Sequence, residues 1–214
     1  IDIITSIWKG TQDYPHLECT SSYTEYLRFH VEFMNLISDL GNIPKATVSQ
    51  KKRLGSALTT AYSKGVEFES KVLSRLVALL MIVSGEKYSL PALSELTLHQ
   101  KIAKFKSLSN GKYDVLVDQI DRGVRNADAH LSLFYSANEN VYIVKSTSNK
   151  GKKGRTRKIK PDFMMTQIYA FVGWFSQSFI YSAIILVLSH EDQGRFADSM
   201  KKVTEIGRGE DITL

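Results

Sequence analysis

Arg125, Asn126 and His130 put a permanent cation, an amide and an imidazole within six residues, which is the side-chain chemistry of metal-free RNA cleavage. RNA carries its own nucleophile in the 2′-hydroxyl. Cleavage then needs a base for that proton, an acid for the leaving 5′-oxygen and a cation facing the phosphorane charge. An imidazole, with an unperturbed pKa of about 6.5, serves as base or acid at neutral pH, while a guanidinium stays charged and grips two phosphate oxygens. His130 is thus the expected proton-transfer group and Arg125 the phosphate clamp. Asn126 either hydrogen-bonds phosphate, holds His130, or satisfies a helix-end carbonyl or water.

Helix geometry sets what these residues can do together. Residues advance roughly 100° each around an α-helix, so Ile120, Val124, Ala127 and Leu131 form an apolar stripe. Arg122, Asn126 and His130 line another face. Arg125 and His130 lie roughly 140° apart around one ideal helix. They converge only where the helix unwinds near Asp128 or where a second copy of the motif faces the first. Asp128 can pair with Arg125 at i+3 and partly neutralise it. Arg122 is the reserve cation, or a solvated charge on the helix face.

The elements around the motif read as helical. Ser22-x-x-Glu25 is a capping-box pattern opening a helix that Gly41-Asn42 and Pro44 stop; Leu27, Phe33, Ile37 and Leu40 are its apolar positions. Residues 49–83 read as one long helix, or two joined near Gly55 or Gly65. A basic helix is expected over 96–108, a turn at Ser109-Asn110-Gly111, and the motif helix over 113–129. Two strands, 131–135 and 141–145, turn through Asn138-Glu139-Asn140. A second turn at 150–154 leads into a long helix after Pro161-Asp162, and one more helix is expected around 196–203.

Arg-Asn-x-x-x-His at a helix end, followed by a short polar hairpin and a long C-terminal helix, resembles the HEPN superfamily (higher eukaryotes and prokaryotes nucleotide-binding). Arg125, Asn126 and His130 match its signature, and the helical order from Gln50 to Ser189 follows its layout. The resemblance implies an all-α, HEPN-like helical bundle with a small β-hairpin insertion after the motif helix. It also implies a homodimer in which both motifs line one cleft, and a metal-independent endoribonuclease leaving a 2′,3′-cyclic phosphate and a 5′-hydroxyl. The biology implied is that of a toxin or antiviral-defence effector, with an antitoxin or regulatory partner domain. Members often carry a further polar residue in the second helix facing the motif. Glu67 and Glu69 stand in that helix here, each expected to be solvated or salt-bridged.

At 214 residues and 43% hydrophobic, the chain supports one sizeable core, expected as a single domain over 1–214 with its centre at about 22–189. Ile1 in place of an initiator Met leads us to expect a larger protein. Cys19, the only cysteine, excludes an intrachain disulfide and a Cys-based zinc site, and a reducing, cytoplasmic compartment is expected. The net charge of +6 favours a polyanionic partner.

Lys150, Lys152, Lys153, Arg155, Arg157, Lys158 and Lys160 put seven cations in eleven residues. They are the candidate RNA grip, or else a solvated hairpin tip. Residues 163–189 carry no charge and are long enough to cross a bilayer. However, Ile168, Val172, Phe175, Phe179, Ala183 and Leu186 form a stripe with Gln167, Gln177, Ser178 and Tyr181 on another side. That amphipathicity points away from a membrane span, to a helix buried on most sides by the core and a subunit partner.

No phosphate-binding loop, dinucleotide glycine fingerprint, His-Glu-x-x-His or Cys pair is present. His16, His30, His99 and His190 lack ligand spacing, and Trp8 and Trp174 read as core or partner contacts. No metal or other cofactor is expected. The competing reading is a non-catalytic HEPN module that binds nucleotide or RNA or joins an assembly. A third is a helical interaction domain in which the motif does nothing measurable.

Overall fold

The computed structural model describes residues 1–118, 120, 121, 124, 133–145 and 156–207. Arg122, Arg125, Asn126, Asp128 and His130 lie outside the described residues, as do Ala127, Leu131, Lys150, Lys152, Lys153 and Arg155.

The described residues are mainly helical, with one small antiparallel sheet among them. The axis of the fold is α3, Val48–Val83, 36 residues long and therefore roughly 54 Å. Thr47 and Gln50 form a reciprocal capping box at its start. It is one continuous helix, and the two glycines proposed as breaks are instead points of close approach. A Cβ at Gly65 would stand 2.1 Å from Val172 Cγ1, and one at Gly55 2.6 Å from Tyr135 Cβ. Glycine lets the segments that carry Val172 and Tyr135 reach the helix.

Around α3 pack α1 (Asp2–Lys9), α2 (Thr20–Leu40), α4 (Leu90–Glu95) and α5 (Leu98–Ser109). α2 buries Tyr26, Phe33 and Leu36, while Leu27 is exposed. α1, which the sequence reading did not anticipate, buries Ile3, Ile4 and Ile7. Arg75 of α3 fixes it. Its guanidinium donates to Ser6 Oγ at 3.1 Å, Ser6 O at 2.9 Å, Leu17 O at 2.5 Å and Lys71 O at 3.2 Å. Hydrogen bonds to four acceptors offset much of the cost of burying this side chain at 1% exposure.

The helix expected over 113–129 does not begin at Tyr113. Asn110 and Gly111 turn the chain with φ of 49° and 76°, and Asp114–Leu116 form a 3₁₀ turn. Lys106 pairs with Asp114 and Asp118, drawing this stretch onto α5. Irregular chain follows at Ile120 and Asp121, and Val124 is helical. The two described members of the predicted apolar stripe, Ile120 and Val124, are both buried.

The expected hairpin has a third strand. β1 (Leu133–Ser136), β2 (Val141–Lys145) and β3 (Thr156–Ile159) form an antiparallel sheet in that order. Leu133 pairs with Val144, Tyr135 with Tyr142, and Tyr142 with Ile159. Leu133, Tyr142, Val144 and Ile159 enter the core.

α6, Pro161–Glu191, follows, with a π-helical stretch over Met164–Tyr169. α7 is Gln193–Gly207. Ile168, Val172, Phe175, Phe179 and Ala183 of α6 are buried as the stripe predicts, but Leu186 is 46% exposed. The helix is not covered on most sides: Trp174, Tyr181, Ile184 and Leu186 all face outward.

Candidate functional site

The chain enters the Arg125–His130 segment through Asp121. Its carbonyl accepts a hydrogen bond from the Tyr62 hydroxyl at 3.1 Å. Its Oδ1 accepts the Val124 N–H at 3.0 Å, the i to i+3 geometry of a helix cap. Its Oδ2 pairs with Arg157 NH1 at 2.5 Å. One residue thus ties α3, β3 and the start of the motif segment together. The Arg157 arm contributes least, because that side chain is half exposed and water screens it.

Tyr62 stands on the core face of α3. Val66, Glu69 and Leu73 follow it at 4, 3, 4 spacing, and all are at most 1% exposed. Glu69 is a correction to the sequence reading. It is wholly buried, and among the described residues neither carboxylate oxygen has a hydrogen-bond or ion-pair partner. Burial pushes its pKa up to about 8, so the carboxyl is mainly protonated at neutral pH. Glu67, two residues away, is exposed and pairs with Lys64 at 3.0 Å.

Glu69 lies among tyrosines. Burial raises Tyr26 to about 12, and the nearby Glu69 carboxylate adds to the rise. Burial raises Tyr62 as well, again with Glu69 contributing. Tyr26 belongs to α2 and Tyr62 to α3, so the carboxyl sits in a seam between helices. Further along, the Tyr169 hydroxyl lies 2.6 Å from His30 Nδ1, and burial lowers the His30 pKa, favouring the neutral ring. On the α5 side, Lys101 Nζ donates to Ser70 O at 3.1 Å and to Ser70 Oγ at 3.3 Å, and burial brings its pKa down to about 8.

Of the predicted RNA grip, Lys160 is described as the exposed residue just before α6, and Arg157 and Lys158 as members of β3. The latter two point from β3 with more than half of their side-chain surface exposed. Arg157 pairs with Asp121, and Lys158 pairs with Glu139 in the β1–β2 turn. Their charges are thereby partly offset, yet both remain open to solvent on the strand that touches Asp121. No group of three or more potential metal-ligating side chains occurs among the described residues. Trp8 and Trp174 are partly exposed, at 39% and 49%.

The sequence reading missed Tyr62, Asp121 and Glu69 as a set. Glu69 had a signal: its spacing with Tyr62, Val66 and Leu73 places a carboxylate on the core stripe. Asp121 had another, since Asp-x-x-Val ahead of a helical residue is a capping pattern. No protein-family model, curated protein or solved structure matches this chain.

Proposed function

We propose that this chain is a metal-independent endoribonuclease of the HEPN type, cleaving RNA by attack of the 2′-hydroxyl to leave a cyclic phosphate. The observation that carries the reading is the anchoring of Asp121. Tyr62, Val124 and Arg157 fix the chain four residues ahead of Arg125. Electrostatic catalysis needs groups whose positions are set before substrate arrives. Arg125 clamps the phosphate, His130 transfers the proton and Asn126 supports one or the other. Arg157 of β3 brings cationic charge to Asp121, Lys158 adds to it from the opposite face of the strand, and both bind the RNA backbone with the basic segment preceding them.

One motif brings one imidazole, whereas the reaction moves a proton at each end of the scissile bond. A homodimer supplies the second. The outward face of α6 supports such pairing: Trp174 and Leu186 border an apolar groove of about 200 Å³ that also takes in Ile4, Leu76, Leu79 and Leu116. α6 is long and apolar enough to cross a membrane, but it packs a continuous buried stripe onto α1 and α3. We read its open side as the subunit contact, in a cytoplasmic effector of toxin or antiviral type held in check by an antitoxin or regulatory domain.

The test is cleavage of a mixed RNA pool in EDTA by the wild-type chain beside Arg125→Ala and His130→Ala. Cyclic-phosphate ends that disappear in both variants support the reading. Equal activity in all three proteins, or a folded wild-type dimer that cuts nothing, overturns it for this chain.

A further inference from the structure

A cavity of about 540 Å³ opens between α2, the first turns of α3, the β1–β2 hairpin and the start of α6. That is the size of a small-ligand site. Phe33, Leu54, Leu58 and Met165 make an apolar floor, and Tyr135 and Tyr142 form an aromatic wall. The two tyrosines are cross-strand partners with ring centroids 5.2 Å apart and planes tilted by 55°, and since Tyr142 is 3% exposed, Tyr135 is the ring with a face open to a ligand. The wall stands where it does because Gly55 lacks a Cβ that would strike Tyr135.

Three polar side chains join this apolar box: Lys51, Asn140 and Asp162. Tyr135 donates its hydroxyl proton to Asn140 Oδ1 at 2.5 Å, which orients the amide so that its NH₂ is the group offered to a ligand. Asp162 offers a carboxylate, an acceptor only when ionised. Asn140 itself is held in the turn at φ 52°.

We infer that this cavity takes a guanine base, stacked against Tyr135, with its phosphate toward Lys51. Guanine's pairing edge presents two adjacent N–H donors beside a carbonyl oxygen. A carboxylate accepts from the first two, and an amide NH₂ donates to the third. Uracil has one donor flanked by two carbonyls, and a carboxylate repels both. Adenine offers a single amino group, and so does cytosine. Lys51 stands in the first turn of α3, where the helix dipole adds to its attraction for an anion.

The base has two possible sources with the same chemistry, a free guanine nucleotide or a residue of a bound RNA. Leu58 of the cavity lining precedes Tyr62 by four residues on α3, roughly 6 Å along the axis, and Tyr62 holds Asp121. On that reading, a base splayed from an RNA strand that passes Asp121 stacks on Tyr135, as single-stranded bases are read elsewhere by aromatic stacking. This RNA arm rests on the ribonuclease reading, whereas the nucleotide arm does not.

The experiment titrates the full chain calorimetrically with GMP, AMP, CMP and UMP. In parallel it measures cleavage of single-stranded oligonucleotides that differ in the placement of one guanine. Both are repeated with Asp162→Asn and with Asn140→Gly, the latter keeping the left-handed turn open to the chain. GMP binding about tenfold tighter than UMP, and about tenfold weaker in each variant at unchanged Tm, is expected. Cleavage that follows guanine placement makes the base part of an RNA. GMP binding without cleavage leaves a free-nucleotide site and removes the ribonuclease reading. Cleavage indifferent to guanine, with no GMP binding, removes the base site alone. Equal binding of all four nucleotides, or GMP affinity unmoved by Asp162→Asn, also overturns it.

Discussion

The Tyr62 hydroxyl donates to the main-chain carbonyl of Asp121 across 59 residues of sequence. A helix that runs the length of the fold thereby holds the chain at the threshold of the Arg125–His130 segment. The ring of Tyr62 is in the core, so Tyr62→Phe keeps the packing and removes one hydrogen bond. A net loss of about 1 kcal/mol in stability is expected, the ordinary value for such a bond. On the ribonuclease reading, cleavage falls further than the unfolded fraction accounts for, because Asp121 loses its α3 anchor. Urea denaturation and initial cleavage rates on the same preparation check both. A variant with wild-type rate and lowered stability would leave Tyr62 a structural residue only.

Glu69 makes the fold pH-dependent with a definite sign. Its folded pKa of about 8 lies above its ordinary 4.5, so the unfolded chain releases a proton that the folded chain keeps. That contribution to stability is full below pH 4.5 and is lost as pH rises toward 8. His30, depressed by burial from 6.5, works in the opposite direction as pH falls below 6.5, and Lys101 does so between 10.5 and about 8. The window from pH 6.5 to 8 is therefore governed by Glu69. Across it, stability is expected to drop by about 1–2 kcal/mol, at up to ~1.4 kcal/mol per pH unit. Glu69→Gln should flatten this slope in urea titrations at fixed ionic strength, and a slope retained in the variant would assign it to another group.

The legible and illegible parts of the fold divide by where their determinants lie. α2, α3, α5 and α6 carry their apolar spacing and end signals within their own residues, and the structure places their boundaries within a few residues of those expected. α1 carries Ile3, Ile4 and Ile7 at helical spacing with Gly10 after it, but eight residues are too short to stand alone, and what holds it is an arginine 69 positions away. β3, Thr-Arg-Lys-Ile, has no alternation to detect and is a strand because β2 pairs with it, Ile159 against Tyr142. The stretch from Tyr113 shows local rules losing to tertiary contact. Its residues tolerate helix, yet Lys106 draws Asp114 and Asp118 to α5, and Asp121 caps the chain later on. At the site, the residue types of the motif were readable, but its anchoring was not, since Tyr62 and Arg157 come from distant elements.

Gly65 tests how closely α3 and α6 are matched. A methyl group there would meet Val172 Cγ1 at 2.1 Å and two Tyr26 ring atoms at 3.2 Å. Helix propensity favours alanine over glycine by about 1 kcal/mol, while overpacking a core costs about 1–3 kcal/mol. Val172 is 1% exposed and its Cγ1 would stand far inside contact distance of the new methyl, so the steric term wins. Gly65→Ala is expected to lower stability by about 1–2 kcal/mol, and the double variant Gly65→Ala, Val172→Ala to recover part of that. A stabilised single variant would mean that α6 slides to accommodate the methyl.

Trp174 is the residue by which pairing through α6 stands or falls. It is 49% exposed, rests on Phe171 with ring centroids 5.5 Å apart, and borders the apolar groove. An aromatic half out of the core on an uncharged helix is the kind of anchor that carries much of an interface's energy. Replacing it by glutamate places a charge where a second copy would have to desolvate it, at a cost of several kcal/mol to association. The monomer fold loses little, since the outer half of the ring already faces water. Sedimentation equilibrium is expected to show a dimer for the wild-type chain and a folded monomer for Trp174→Glu, with unchanged far-ultraviolet circular dichroism. On the ribonuclease reading, cleavage falls with the dimer, because each motif would contribute one imidazole to a reaction that moves two protons. Mixing Trp174→Glu with His130→Ala should restore nothing. A wild-type chain that is monomeric at the concentrations where it cuts RNA would remove the two-motif arrangement and leave Arg125 and His130 to act within one chain.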